Sequence, residues 1–177
     1  MLYIPPFDAP LKVHLSFPLM SQKVLFVCTG NVCRSPMAEG FLRLMAKEAG
    51  ADIEVGSAGI GAMEDMTPSR HSVTAMREEG IDISRQRSRM LTPGMMEEYT
   101  HIFGLGTGHI DAIRSYFPEE QEKTFVLREF VANEGLDLEV PDPIGGDLDE
   151  YRITRNLIKE AMPSIMRFVL TGDPSKP

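Results

Sequence analysis

The apolar run Val24-Leu25-Phe26-Val27 passes directly into Cys28-Thr29-Gly30-Asn31-Val32-Cys33-Arg34-Ser35, and then into Pro36-Met37-Ala38-Glu39. A short continuous apolar run reads as a strand buried on both faces, as in a parallel sheet. Ser35 fits a helix N-cap and Pro36 the first helical position. The strand thus delivers its C-terminal end to a short loop, and the loop opens a helix. Backbone N–H groups converge there on the positive end of a helix dipole, which suits a tetrahedral oxyanion. Gly30 and Asn31 tolerate left-handed backbone. Arg34 can grip two oxygens at once. A thiol held at the base of such a loop is a nucleophile at neutral pH. A strand that hands a loop to a helix fits an α/β fold, whose ligand sites lie beyond the strand C-termini, where Cys28 sits.

Other uses of the cysteines fit less well. Cys28 and Cys33 have no second Cys or His cluster to complete four zinc ligands. His14, His71, His101 and His109 are scattered. Two cysteines, one of them a nucleophile, point to a reducing cytoplasm. The 177 residues suffice for one well-buried domain. A net charge of −8 disfavours non-specific nucleic-acid binding. It also means that a phosphate must be drawn by a local positive site. No apolar stretch reaches the length of a membrane span.

The remaining pattern alternates strands with helices. Strands are expected at Lys23–Val27, Asp52–Gly56, Thr100–Leu105 and Thr124–Leu127. Helices are expected at Pro36–Ala49, from Thr67-Pro68 to Gly80, at Pro93–Tyr99, at Thr107–Tyr116 and at Leu148–Leu170. In the last helix, Tyr151, Ile158, Met162, Ile165 and Val169 form an apolar stripe, and Pro163 is expected to kink or break it. Ser84 to Met90 reads as a basic loop, either simply exposed or a positive rim to the phosphate site. The expected architecture is a single-domain, flavodoxin-like three-layer sandwich with a four-stranded parallel sheet. Residues 1–20 carry four prolines and no clear period, and read as an irregular extension. The domain spans 21–170, and 171–177 read as a disordered tail.

Cys-x5-Arg-Ser, with Gly30 and Asn31 inside, resembles the phosphate-binding loop of the low-molecular-weight protein tyrosine phosphatases. Pro141-Asp142-Pro143 resembles the family's Asp-Pro loop, and Ser57-Ala58-Gly59 its Ser-Ala-Gly. The segment from Gly80-Ile81-Asp82-Ile83-Ser84 to Ser88-Arg89-Met90-Leu91-Thr92 resembles a further family segment. The match runs from about Lys23 to about Leu170. It implies the same fold and a phosphoprotein phosphatase without cofactor or metal. Cys28 forms a cysteinyl-phosphate, and Arg34 with the N–H groups of Thr29, Gly30, Asn31, Val32, Cys33, Arg34 and Ser35 holds the phosphoryl oxygens. Asp142 is the general acid, with Asp137 and Asp147 as nearby rivals. Ser35 supports the thiolate, Ser57 supports Asn31, and Cys33 is a redox partner that protects Cys28 in a reversible disulfide. The partners implied are a phosphorylated protein, inorganic phosphate or other oxyanions.

The pocket walls bear on the substrate. Many family members place aromatic residues after Asp-Pro, whereas here Ile144-Gly145-Gly146 follow. Ile60 to Met66, expected at the opposite rim, is also non-aromatic. A bacterial branch that this chain resembles through Cys-Thr-Gly-Asn and Asp-Pro-x-Gly-Gly acts on phosphoarginine. That branch typically has Thr at position 32 and Phe at 144, where this chain has Val32 and Ile144. The family's pocket histidine is replaced by Gln86. Phosphotyrosine is the expected substrate and phosphoarginine the alternative. Acidic Glu64, Asp65 and Asp147 would favour a cationic substrate if they lay at the rim. Arsenate reductase is disfavoured, since no cysteine follows Cys33 to relay electrons.

Overall fold

The computed structural model describes residues 21–131, 135 and 137–173. The expected extension 1–20 and the end of the expected tail, 174–177, lie outside the described residues. Four strands, β1 (Gln22–Cys28), β2 (Ile53–Gly59), β3 (His101–Gly104) and β4 (Thr124–Val126), form one parallel sheet in the order β2-β1-β3-β4. Between and after them run α1 (Arg34–Ala49), α2 (Arg70–Arg77), α3 (Pro93–Glu98), α4 (Thr107–Tyr116) and α5 (Leu148–Thr171).

Alternation along β1 builds the two faces. Val24, Phe26 and Cys28 join the core cluster that contains residues of α1 and α5. Leu25 and Val27 join the cluster that contains Met96 of α3 with Ile110 and Ile113 of α4. All five residues Val24 to Cys28 are buried, as a central parallel strand requires. The expected three-layer sandwich is therefore present, and β1, at the centre, carries Cys28 as its last residue.

Several boundaries differ from expectation for physical reasons. α1 begins at Arg34, with Cys33 in the N-cap position and no side-chain cap. Ser35 is thus inside the helix, and its hydroxyl turns to Cys28 instead. β2 continues through Ser57-Ala58-Gly59, which places Ser57 beside Phe26. Gly59 allows that close approach: a Cβ there would sit 2.5 Å from Thr29 O. α2 is shorter than expected, because Ser69 supplies the N-cap by accepting from Ser72 N. α1 stops at Gly50, in the left-handed region with φ of 61°, as the sequence implies.

α5 runs unbroken through Pro163 and ends at Gly172, whose φ is 68°. Thr171 belongs to this helix rather than to a tail. Pro163 lies on the exposed face, where the carbonyl it leaves unpaired can bond water. The stripe Tyr151, Ile158, Met162, Ile165 and Val169 is buried on the other side and holds the helix to the sheet. Among the described residues, no helix is long and apolar enough to cross a membrane.

Candidate active site

Residues 28–35 wrap the C-terminal end of β1. Cys28 Sγ lies 3.0 Å from Ser35 Oγ and accepts from Asn31 N at 3.3 Å. Asn31 has φ of 53°, a left-handed conformation that costs energy in a residue with a side chain. Three bonds from its own amide hold it there. Nδ2 donates to Ser35 Oγ at 2.8 Å and to Ser57 Oγ at 2.9 Å, and Oδ1 accepts from Arg89 N at 3.0 Å. Because Ser35 Oγ accepts from Asn31, its own proton is left to point at the sulfur, or at Ala58 O 3.4 Å away.

Arg34 is buried, and its guanidinium bridges to the distant Asp-Pro loop. Nη1 donates to Val140 O at 3.1 Å and Nη2 to Asp142 Oδ2 at 2.7 Å. Nε has no partner among the described residues. Asp142 Oδ1 accepts from Ile144 N at 3.2 Å, which fixes the carboxylate within its turn. Cys28, Arg34 and Asp142 thus line one pocket of about 210 Å³, together with Thr29, Gly30, Val32, Cys33 and Ile144.

The structure separates the rival acids. Asp147 caps α5 through a reciprocal capping box with Glu150. Asp137 Oδ1 accepts from Glu139 N. Neither lines the pocket. Glu64 accepts from Met90 N, and Asp65 pairs with Arg87, so the acidic rim considered for a cationic substrate is not formed by them. Ile60 N and Gly61 N donate to Cys28 O and Thr29 O, bracing the loop rather than lining the pocket. The Ser84–Met90 segment also lies outside the pocket lining. Its Arg89 braces the loop from behind, through Asn31 and through Nε to Ser57 O.

Cys33 is free, like Cys28. Its sulfur lies 3.4 Å from Tyr151 Oη and 3.5 Å from Ser69 Oγ. Burial pushes the Tyr151 phenol up to about 12, so it stays protonated.

Sequence reasoning missed three supporting residues. Glu39, on α1, accepts from Ser57 Oγ at 2.6 Å, and burial raises its carboxyl above the usual range. Arg89 was part of a family-like segment without an assigned task. His109, at the start of α4, lies with Nε2 3.2 Å from Thr29 Oγ1. Burial, and then the Arg34 charge, hold His109 below its ordinary value, so it is neutral near pH 7. Arg89 stood out in the sequence only as part of a basic segment, and nothing local tied Glu39 to Ser57 or His109 to Thr29.

A buried thiol, an arginine fork and a carboxylate meeting at one pocket suit phosphate chemistry. The match to the family described as low molecular weight phosphotyrosine protein phosphatase covers residues 23–172, and the chain belongs to that family. It is 39% identical over 137 residues to a protein-arginine-phosphatase of Geobacillus stearothermophilus, covering 77% of this chain and 88% of the relative. It is 33% identical over 158 residues to a low molecular weight protein-tyrosine-phosphatase of Streptomyces coelicolor, covering 85% and 94%. Among solved structures, the low molecular weight protein tyrosine phosphatase of T. tengcongensis matches with a TM-score of 0.77 and 36% identity, over 83% of this chain and 99% of that one. The YwlE arginine phosphatase of Geobacillus stearothermophilus matches with a TM-score of 0.76 and 36% identity, over 85% and 94%.

Proposed function

We propose that this phosphatase acts on phosphotyrosine through a cysteinyl-phosphate on Cys28. The observation that carries the substrate choice is the pocket wall. Val32 and Ile144 offer apolar surface to a ring, and Asp142 is the one carboxylate in the lining among the described residues. A guanidinium leaving group needs acceptors beside the phosphorus, and a pocket that lacks them discriminates strongly against it.

In the mechanism, the Cys28 sulfur attacks phosphorus in line, and the P–O bond to the leaving group breaks. Arg34 and the loop N–H groups hold the three non-bridging oxygens as their charge redistributes. The Arg34 Nε, without a partner among the described residues, is placed to donate to one of them. Ser35 donates to the sulfur, which stabilises it as nucleophile and later as leaving group. Asp142 gives its proton to the departing phenolate oxygen, and then takes one from the water that splits the S–P bond. Free phosphate and the Cys28 thiolate remain.

A second reading, phosphoarginine, is favoured by the identity to the arginine phosphatases, which exceeds that to the tyrosine phosphatase of Streptomyces coelicolor. The test compares kcat/KM on matched phosphotyrosine and phosphoarginine peptides, with Cys28→Ser as the inactive control. Preference for phosphotyrosine is expected. A preference of about tenfold for phosphoarginine, 1.4 kcal/mol, reverses the choice of substrate. Full turnover by Cys28→Ser overturns the mechanism.

A further inference from the structure

A second concavity lies apart from the catalytic pocket. A cleft of about 640 Å³ lies between α1 and the Gly80–Arg89 segment, and it shares no lining residue with the catalytic pocket. Its size falls in the range of small-molecule sites. Arg43, Lys47, Arg85, Arg87 and Arg89 line it, against the two carboxylates Glu39 and Asp82. This is a concentration of positive charge in a chain of net charge −8. Leu44, Ile81 and Ile83 add apolar surface.

The cations differ in how they are engaged. Arg89 is bonded to Ser57 O and Tyr99 Oη, and Arg87 to Ser84 O and Gln86 O. Arg43 is divided between Glu39 Oε1 at 2.5 Å and Val55 O at 2.8 Å. The side chains of Lys47 and Arg85 make no hydrogen bond or ion pair among the described residues, although the Arg85 charge is felt by Asp82 across the cleft wall. Two uncommitted cations and one shared guanidinium around a concave, partly apolar surface suit a ligand with a phosphate and a carbon body.

We propose that this cleft binds a small organic phosphate and that its occupation lowers the turnover of the phosphatase. The regulatory half rests on the phosphatase reading above. The connection is a chain of hydrogen bonds. Glu39, on the cleft wall, accepts from Ser57 Oγ; Ser57 Oγ accepts from Asn31 Nδ2; Asn31 N donates to Cys28 Sγ. Glu39 is buried, and Arg43 is its ion-pair partner. A phosphate that draws Arg43 toward itself removes the counter-charge from a buried carboxylate, which then takes up a proton or shifts. Either change alters the acceptor that fixes Ser57. Ser57 is one of the groups that keep Asn31 in its left-handed conformation, so the catalytic loop loses part of its support.

The test uses the full chain with inositol hexakisphosphate as probe and orthovanadate to block the catalytic loop. Calorimetry on vanadate-saturated protein is expected to show one-to-one binding of the probe. The double variant Lys47→Glu/Arg85→Glu, far from the reacting atoms, is expected to bind about tenfold or more weakly. Without probe, it is expected to hydrolyse a small aryl phosphate like the wild type. With saturating probe, wild-type kcat is expected to fall about twofold or more, and kcat of the variant to hold at the same probe concentration. Probe binding that vanadate abolishes, or that is equal in the variant, overturns the site. Binding that leaves kcat unchanged overturns the coupling. An untreated wild type that hydrolyses no aryl phosphate is a separate failure, that of the phosphatase reading, and leaves the binding measurement intact.

Discussion

Arg34 Nη2 donates to Asp142 Oδ2 at 2.7 Å, so the residue proposed to grip the phosphate also holds the proposed acid. The two are 108 positions apart in the chain. The second Arg34 contact, to Val140 O, anchors the same loop by its backbone. Asp142 is therefore set over the Cys28–Ser35 loop by the fork itself, while 40% of its side-chain surface still faces solvent.

Asp142→Ala should slow the first step most for poor leaving groups such as alkyl phosphates, because only these depend strongly on proton donation. The loss expected is about 10²–10⁴-fold in kcat. Asp147→Ala should instead cost about 1 kcal/mol of stability, through the lost cap of α5, with kcat nearly unchanged. Leaving-group dependence of kcat and thermal melts separate the two. A leaving-group signature in Asp147→Ala but not in Asp142→Ala would refute the assignment.

Peroxide treatment should join Cys28 to Cys33, two thiols losing two hydrogens as peroxide is reduced to water. Cys33 must first leave Tyr151 and Ser69, its partners in the reduced protein. Peptide mass spectrometry should find the disulfide, and thiol reductant should restore activity. Cys33→Ser should recover less completely, since Cys28 then proceeds to irreversible acids. Equal recovery in the two proteins would remove any protective role for Cys33.

Burial holds both His109 and His101 below the ordinary 6.5. Below that pH, the unfolded chain binds protons that the folded protein does not. Stability therefore rises with pH through this window and is lost as pH falls below 6.5. His109→Asn should flatten the dependence of Tm on pH between about pH 5 and 7, and the double variant with His101→Asn should flatten it further. An unchanged slope in the double variant would show that neither imidazole is held neutral by the fold.

Val32→Thr restores a hydroxyl to the pocket at nearly constant shape. It should shift the ratio of kcat/KM toward phosphoarginine by about 1–3 kcal/mol, because the hydroxyl gives the guanidinium an acceptor that Val32 lacks. The same pair of peptides that tests the wild type measures it. A shift toward phosphotyrosine would show that the pocket wall at position 32 does not select by hydrogen bonding.

Much of the frame was legible in the chain. The run Val24 to Val27, the stripe in α5 and the stop at Gly50 all arise from local rules, since period, capping and backbone freedom act within a few residues. The Cys28-to-Ser35 loop was legible for the same reason: the anion site proposed for it is built from its own consecutive N–H groups. Local rules also produced the errors. Ser35 reads as a cap until Cys28 and Asn31 claim its hydroxyl, and Pro163 reads as a breaker until packing on the opposite face holds α5 through it. What only the tertiary structure decided is which distant groups meet. Parallel pairing of β1 with β2 sets Ser57 beside Asn31 and Glu39 behind it. Pairing of β1 with β3 brings the start of α4, and His109 with it, onto Thr29. The wrap of Gly80–Arg89 along α1 makes the cationic cleft. None of these contacts has a sequence period, because each is fixed by strand order and helix packing over separations that no local pattern spans.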